Sequence, residues 1–263
     1  MPSRNEDHIL LEQIVGGPII SMVPGRWGFM NRTDIVTLAD GDRVIVQRYR
    51  RRKDAEYRLR VMQALRTPAA QLGIAIPTIL QFELDTDPPW ASFEPLPGMP
   101  VPEAGDASLD GVRFPSFARL MGELLARLRQ LPTTGLSLKD DWADPGRLAA
   151  RSAMWVEDVS ELSNEQRAVL MLVIDEWPTL FSHRQAVLAH GDFAPVNILT
   201  DGESLTGLVD FESVRLADPL FDAAWWAWAV EFHDPLVLQR TWRPFLEGAE
   251  IDPDEPAPTA RSN

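Results

Sequence analysis

The sequence predicts an α+β protein in two parts, a small antiparallel sheet with one helix followed by a larger, mostly helical part. Three observations carry this expectation. β-rich runs at 35–38 and 44–49 flank Ala39-Asp40-Gly41-Asp42, and Asp-Gly between such runs marks a hairpin. Residues 95–107 hold four prolines and two glycines, the composition of a connector. Beyond them, Phe117, Leu120, Met121, Leu124, Leu125 and Leu128 fall at i, i+3, i+4, i+7, i+8 and i+11, the stripe of a helix buried along one face.

The elements follow in order. After the hairpin, residues 55–65 carry helix formers with Leu59, Met62 and Leu65 at helical spacing. Residues 74–82 and 90–96 read as two more strands, separated by the turn formers Asp85-Thr86-Asp87-Pro88-Pro89. A second helix of the larger part begins after Ser163, which stands three residues before Gln166 in a capping box, and runs through Leu170, Val173, Ile174 and Trp177. Short strands are expected at 186–189, 197–200 and 205–211, the last two joined at Asp201-Gly202. Trp225, Trp228 and Phe232 share one helical stripe and read as core, with Trp226 left as a pocket residue. The expected divisions are 1–95, 96–250 and a disordered tail at 251–263, where three prolines and three acids leave almost no apolar mass.

Composition bounds the function. With 263 residues, 45% of them hydrophobic, the chain can bury one large or two small cores. A net charge of −14 and an isoelectric point near 4.7 argue against nucleic acid as a partner. The absence of cysteine excludes disulfides, thiolate metal sites and a cysteine nucleophile. The longest apolar runs, 168–174 and 223–230, fall far short of the roughly 18–20 residues of a membrane span, so a cytoplasmic protein without a membrane partner is expected.

The chemistry concentrates in His190-Gly191-Asp192-Phe193-Ala194-Pro195-Val196-Asn197 and, after a hairpin, Leu208-Val209-Asp210-Phe211-Glu212. Phosphoryl transfer needs a carboxylate to orient the attacking hydroxyl and oxygen ligands to hold magnesium among the phosphates. Asp192 suits the first task as proton acceptor, and Asn197 and Asp210 suit the second. His190 reads as a supporting, hydrogen-bonded histidine.

At these residues the sequence resembles the aminoglycoside phosphotransferase family of kinase-like enzymes, whose signature is His-Gly-Asp, four residues, Asn, then a strand ending Asp-Phe/Trp-Glu. The resemblance extends through Ala217-Asp218-Pro219 and Asp222-Ala223-Ala224. It implies a two-lobed protein-kinase-like fold, with ATP or GTP and Mg2+ held between the lobes and a small hydroxylated molecule as acceptor. That acceptor would be an aminoglycoside-type or other hydroxylated antibiotic, or alternatively a metabolite such as a sugar or amino alcohol. The segment 25–31, with Gly28, stands where the family has its loop over the phosphates, although a plain turn fits these residues equally. By the same resemblance Phe93 and Glu94 would meet an adenine through backbone groups, and Ile45 would pack on its face.

The chain departs from the family at the strand Val44-Ile45-Val46-Gln47. Gln47 aligns where related enzymes place Lys or Arg against the phosphates, and Arg58 stands near the place of the partner acid, with Glu56 two residues away. Either the register is shifted, or the nucleotide site is unusual. The phosphate contact would then come from Arg48, Arg50 or Lys53, or from nothing. These departures keep open a nucleotide-binding pseudokinase without transfer activity. A hydrolase using His190 with the aspartates is the third alternative, lacking a second nearby histidine for a closed metal set.

Overall fold

The computed structural model describes residues 4–26, 31–181 and 184–252. Gly28 and its neighbours at 27–30 lie outside the described residues, as does the expected tail from 253 onward. The elements, in chain order, are α1 (Arg4–Val15), β1 (Ile19–Pro24), β2 (Arg32–Leu38), β3 (Arg43–Arg48), α2 (Arg52–Gln71), β4 (Ile79–Glu83), β5 (Trp90–Phe93) and β6 (Met99–Pro100). They continue with α3 (Phe114–Leu128), α4 (Pro145–Asp158), α5 (Asn164–Phe181), β7 (Val187–Ala189), β8 (Ile198–Thr200), β9 (Leu205–Leu208), β10 (Arg215–Ala217), α6 (Phe221–His233) and α7 (Pro235–Gly248). The chain divides into two compact units: Met1–Gly105 with Val196–Glu212, and Asp106–Pro195 with Ser213–Asn263. The hairpin after the His-Gly-Asp loop thus groups with the N-terminal residues.

In the first unit a five-stranded antiparallel sheet runs in the order β1-β2-β3-β5-β4. Register separates its faces. Ile45 pairs with Phe93 and Gln47 with Ala91, so these four share one face, while Val46 and Arg48 point to the other. On that second face Val36 and Val46 join Leu11 and Ile14 of α1 in a core. Arg48 lies at its edge, its two terminal nitrogens bonded to Asp7 and Asp34 at 2.6 Å each. The second sheet of this unit, β6-β8-β9, turns at Asp201, whose Oδ1 accepts the N–H groups of Glu203 and Ser204 at 2.8 and 2.7 Å.

The second unit is built on helices. α3 carries the expected stripe, with Phe117, Met121, Leu124, Leu125 and Leu128 all buried. A side chain at Gly122 would collide with the Phe245 carbonyl and one at Gly248 with that of Arg119, so glycine at both positions lets α3 and α7 approach closely. Ser163 and Gln166 exchange the two bonds of the capping box, at 2.9 and 3.2 Å. On the helix that follows, Ile174 is buried, but Leu170 and Val173 are exposed.

The tryptophans of α6 are arranged opposite to expectation. Trp226 is fully buried and stacks on Phe245 with ring centroids 4.0 Å apart, whereas Trp228 and Phe232 are 55% and 81% exposed. The helix is apolar nearly all round, so spacing alone does not say which stripe faces inward. Among the described residues no helix is long and apolar enough to cross a membrane.

Candidate active site

In the second unit, β7 pairs with β10 and delivers the chain into the loop beginning at His190. Asp222, in the first turn of α6, accepts the backbone N–H groups of His190 and Gly191 at 2.7 and 2.9 Å and so pins the loop to the helix. Burial pushes the Asp222 carboxyl above its ordinary value, against the downward pull of His190 and these two donors. Gly191 has φ of 80°, and a side chain there would strike the Ser213 carbonyl. His190 is fully buried, edge-on to Phe193. Asp192 is half-buried, and its Oδ1 accepts a 2.7 Å hydrogen bond from the Trp225 indole N–H. A carboxylate with one oxygen fixed and its residue still partly open to solvent is suited to orient an incoming hydroxyl.

In the first unit, the β8–β9 pairing continues one rung further, where the Val209 N–H donates to the Asn197 carbonyl at 2.9 Å. That rung sets Asn197 and Asp210 at the same end of the hairpin. Asp210 adopts φ of 67°, rare for a residue with a side chain, and its Oδ1 is buried with no hydrogen-bond partner. Among the described residues no group of three or more His, Cys, Asp or Glu forms a metal centre. Magnesium is commonly held by only one or two protein carboxylates together with phosphate oxygens, and an aspartate at the same end of a hairpin as an Asn fits that mode.

Around Asp210 lies a polar cluster that the sequence reading did not assemble. Glu212 Oε1 accepts from Asn31 Nδ2 at 2.6 Å, Gln47 Nε2 at 3.0 Å and Arg58 Nη1 at 2.7 Å. The same Arg58 nitrogen is 3.5 Å from Asp210 Oδ1. The Arg58 guanidinium lies over the rings of Phe93 and Tyr49, at 5.7 and 6.0 Å. Burial works against its charge, but Tyr49, Asp210 and Glu212 outweigh this and raise its pKa, so it stays protonated. Burial pushes Glu212 up despite Arg58, and takes the Tyr49 phenol to about 12.

The remaining expected positions divide. Ile45, Gln47 and Phe93 share one sheet face, and Arg48 lies on the other. There it is paired with Asp7 and Asp34, which removes it as a phosphate contact. Glu94 is exposed, and its N–H donates to the Thr78 carbonyl at 2.9 Å. Trp225 and Asp222 were missed as supports of Asp192, for they meet it only through the fold. Arg58 carried a visible signal, a cation standing where an acid was expected.

The model of the phosphotransferase enzyme family APH matches residues 22–257. A GDP and kanamycin complex of APH(2")-IIia superimposes with TM-score 0.74 at 18% identity, covering 95% of this chain and 84% of that one. The macrolide 2'-phosphotransferase MphH from Brachybacterium faecium gives 0.66 at 18% identity over 94% and 84%. An aminoglycoside-3'-phosphotransferase of type VIII gives 0.65 at 20% over 96% and 95%. At such identities these likenesses establish the fold, an α+β kinase-like one.

Proposed function

The chain belongs to the APH phosphotransferase enzyme family, and from that premise we propose that it moves the γ-phosphoryl group of ATP, or GTP, to a hydroxyl of a small molecule. The observation that carries this reading is the Asp192 carboxylate, half-open, bonded to Trp225 and seated on a loop that Asp222 pins. Asp192 orients the acceptor hydroxyl and takes its proton as that oxygen bonds to the γ-phosphorus. The bond from the γ-phosphorus to the bridging oxygen breaks, and the nucleoside diphosphate leaves with the electron pair. Asn197 and Asp210 would hold Mg2+, which when bound neutralises phosphate oxygens. Ile45 and Phe93 offer the nucleobase an apolar face, and the Glu94 carbonyl offers it an acceptor. Nucleotide binding thus falls to residues 1–95 together with the hairpin, and the base to the helical part.

For the acceptor we favour an aminoglycoside-type or other hydroxylated antibiotic, in keeping with the kanamycin and macrolide named for similar structures. Trp225 and the exposed Trp228, with ring centroids 5.1 Å apart, give apolar faces beside the base. A kinase of a sugar or amino alcohol is the alternative for the acceptor, and the departures at Gln47 and Arg58 bear instead on a nucleotide-binding pseudokinase as the alternative activity. ADP release from ATP and Mg2+, measured against a panel of aminoglycosides, macrolides, sugars and amino alcohols, decides between them. Release that depends on one of these classes assigns the acceptor. Nucleotide binding with no acceptor-dependent release identifies a pseudokinase and overturns the proposal.

A further inference from the structure

The first unit lacks a cation on the strand at position 47 and carries one on the facing helix. Gln47 and Arg58 both donate to Glu212 Oε1, so the amide and the guanidinium occupy one polar cluster. Arg58 is nine-tenths or more buried, and its charge survives there only because Asp210 and Glu212 stand at 3.5 and 2.7 Å. The two carboxylates and one guanidinium sum to a charge of −1. Without the guanidinium the sum would be −2, an unfavourable neighbour for polyphosphate.

The neighbouring cations are placed differently. Arg48 is paired on the opposite face with Asp7 and Asp34, Arg32 pairs with Asp7, and Arg50 and Lys53 are exposed. The cluster also holds unspent hydrogen-bonding capacity. Arg58 Nε, Gln47 Oε1, Asp210 Oδ1 and the Tyr49 hydroxyl are buried and make no hydrogen bond to the described residues. Buried polar atoms left unpaired are costly, and four of them around one cation point to a ligand that completes the set.

We propose that Arg58 supplies, from α2, the positive charge that the nucleotide phosphates would otherwise take from the strand. Arg58 would stand in for a strand lysine, with Glu212, which the family signature already carries, as its carboxylate partner. This inference rests on the phosphotransferase reading, since it needs a nucleotide at Asp210. It predicts that the charge matters to phosphates and not to the nucleoside, and that a lysine at position 47 can substitute for it.

The test is calorimetric titration of the full chain with ADP and, separately, with adenosine, each with and without Mg2+. Arg58→Gln should weaken ADP by about tenfold or more in both conditions, as expected for loss of a charge-assisted contact, while adenosine affinity stays within about twofold. Gln47→Lys combined with Arg58→Gln should recover most of the ADP affinity. Unchanged ADP affinity in Arg58→Gln, or an equal loss of ADP and adenosine, overturns the proposal, the latter because it marks Arg58 as a structural prop. Should Arg58→Gln fail to fold, the double variant decides, and a folded double variant that binds adenosine but not ADP is a refutation. Failure of the unaltered protein to bind ADP at all would instead refute the phosphotransferase reading, and this inference with it.

Discussion

The indole N–H of Trp225 donates a 2.7 Å hydrogen bond to Oδ1 of Asp192. The two residues are 33 positions apart, and α6 brings them together because Asp222, one turn earlier on that helix, holds the backbone at His190 and Gly191. One helix therefore fixes both the loop and the carboxylate that the loop presents.

Trp225→Phe keeps the ring and removes the donor. With the carboxylate no longer held in place, turnover should fall by roughly 10-fold or more, while nucleotide affinity changes little and stability drops by at most about 1.5–3 kcal/mol. Steady-state kinetics beside nucleotide titration would show this, and an unchanged kcat would remove Trp225 from the positioning of Asp192.

Asp222→Ala should act through the fold. It leaves two buried backbone N–H groups without their acceptor, at roughly 1–3 kcal/mol each. Denaturant unfolding should register the loss, and Asp222→Asn, which keeps one carbonyl oxygen, should lose less. Equal stability of Asp222→Ala and the unaltered chain would contradict the anchoring role.

Much of this arrangement was legible in the sequence. The hairpin at β2–β3, the α3 stripe and the Ser163 capping box depend on local chemistry, and each formed as its spacing implied. Terminal elements were harder. α1 has weak amphipathic patterning and was not foreseen, yet it buries Leu11 and Ile14 against the sheet. Trp225 and Trp226 illustrate the limit best: adjacent on a helix apolar around its circumference, they exchange roles according to what packs beside them. Arg48 stood among several candidate phosphate contacts, and strand alternation sets it opposite Gln47, but its ion-pair partners 41 and 14 residues away leave no local mark.

The pairing of Arg48 with Asp7 and Asp34 has its own consequences. Arg48→Met leaves Asp7 and Asp34 to the partly exposed Arg32 alone, so part of the roughly 3–5 kcal/mol that breaking a buried pair costs should be lost, visible as a fall in unfolding midpoint. Burial alone would raise the Asp7 carboxyl, but hydrogen bonds and charge from Arg48 and Arg32 bring it below its ordinary value of 3.8. Protonation is then harder in the folded chain than in the unfolded one, so this stabilisation is present above about pH 3.8 and is lost as pH falls through the lower native value. Urea unfolding between pH 6 and pH 3 should show a steeper acid loss for the unaltered protein than for Asp7→Asn, and parallel curves would refute it.

Asp210→Ala should abolish the magnesium-dependent part of nucleotide binding while leaving the metal-free part in place. Titration of ADP with and without Mg2+ reads both parts, and an unchanged metal effect would remove Asp210 from the metal site.

The most direct trial of the whole proposal is acceptor-dependent ADP release by Asp192→Asn, measured beside the unaltered enzyme with ADP affinity determined for both. Loss of a positioned base should lower turnover by about 10²-fold or more with ADP affinity preserved, because the substitution leaves volume and fold intact. Turnover near that of the unaltered enzyme would show that the proton leaves by another route and that Asp192 is not the base.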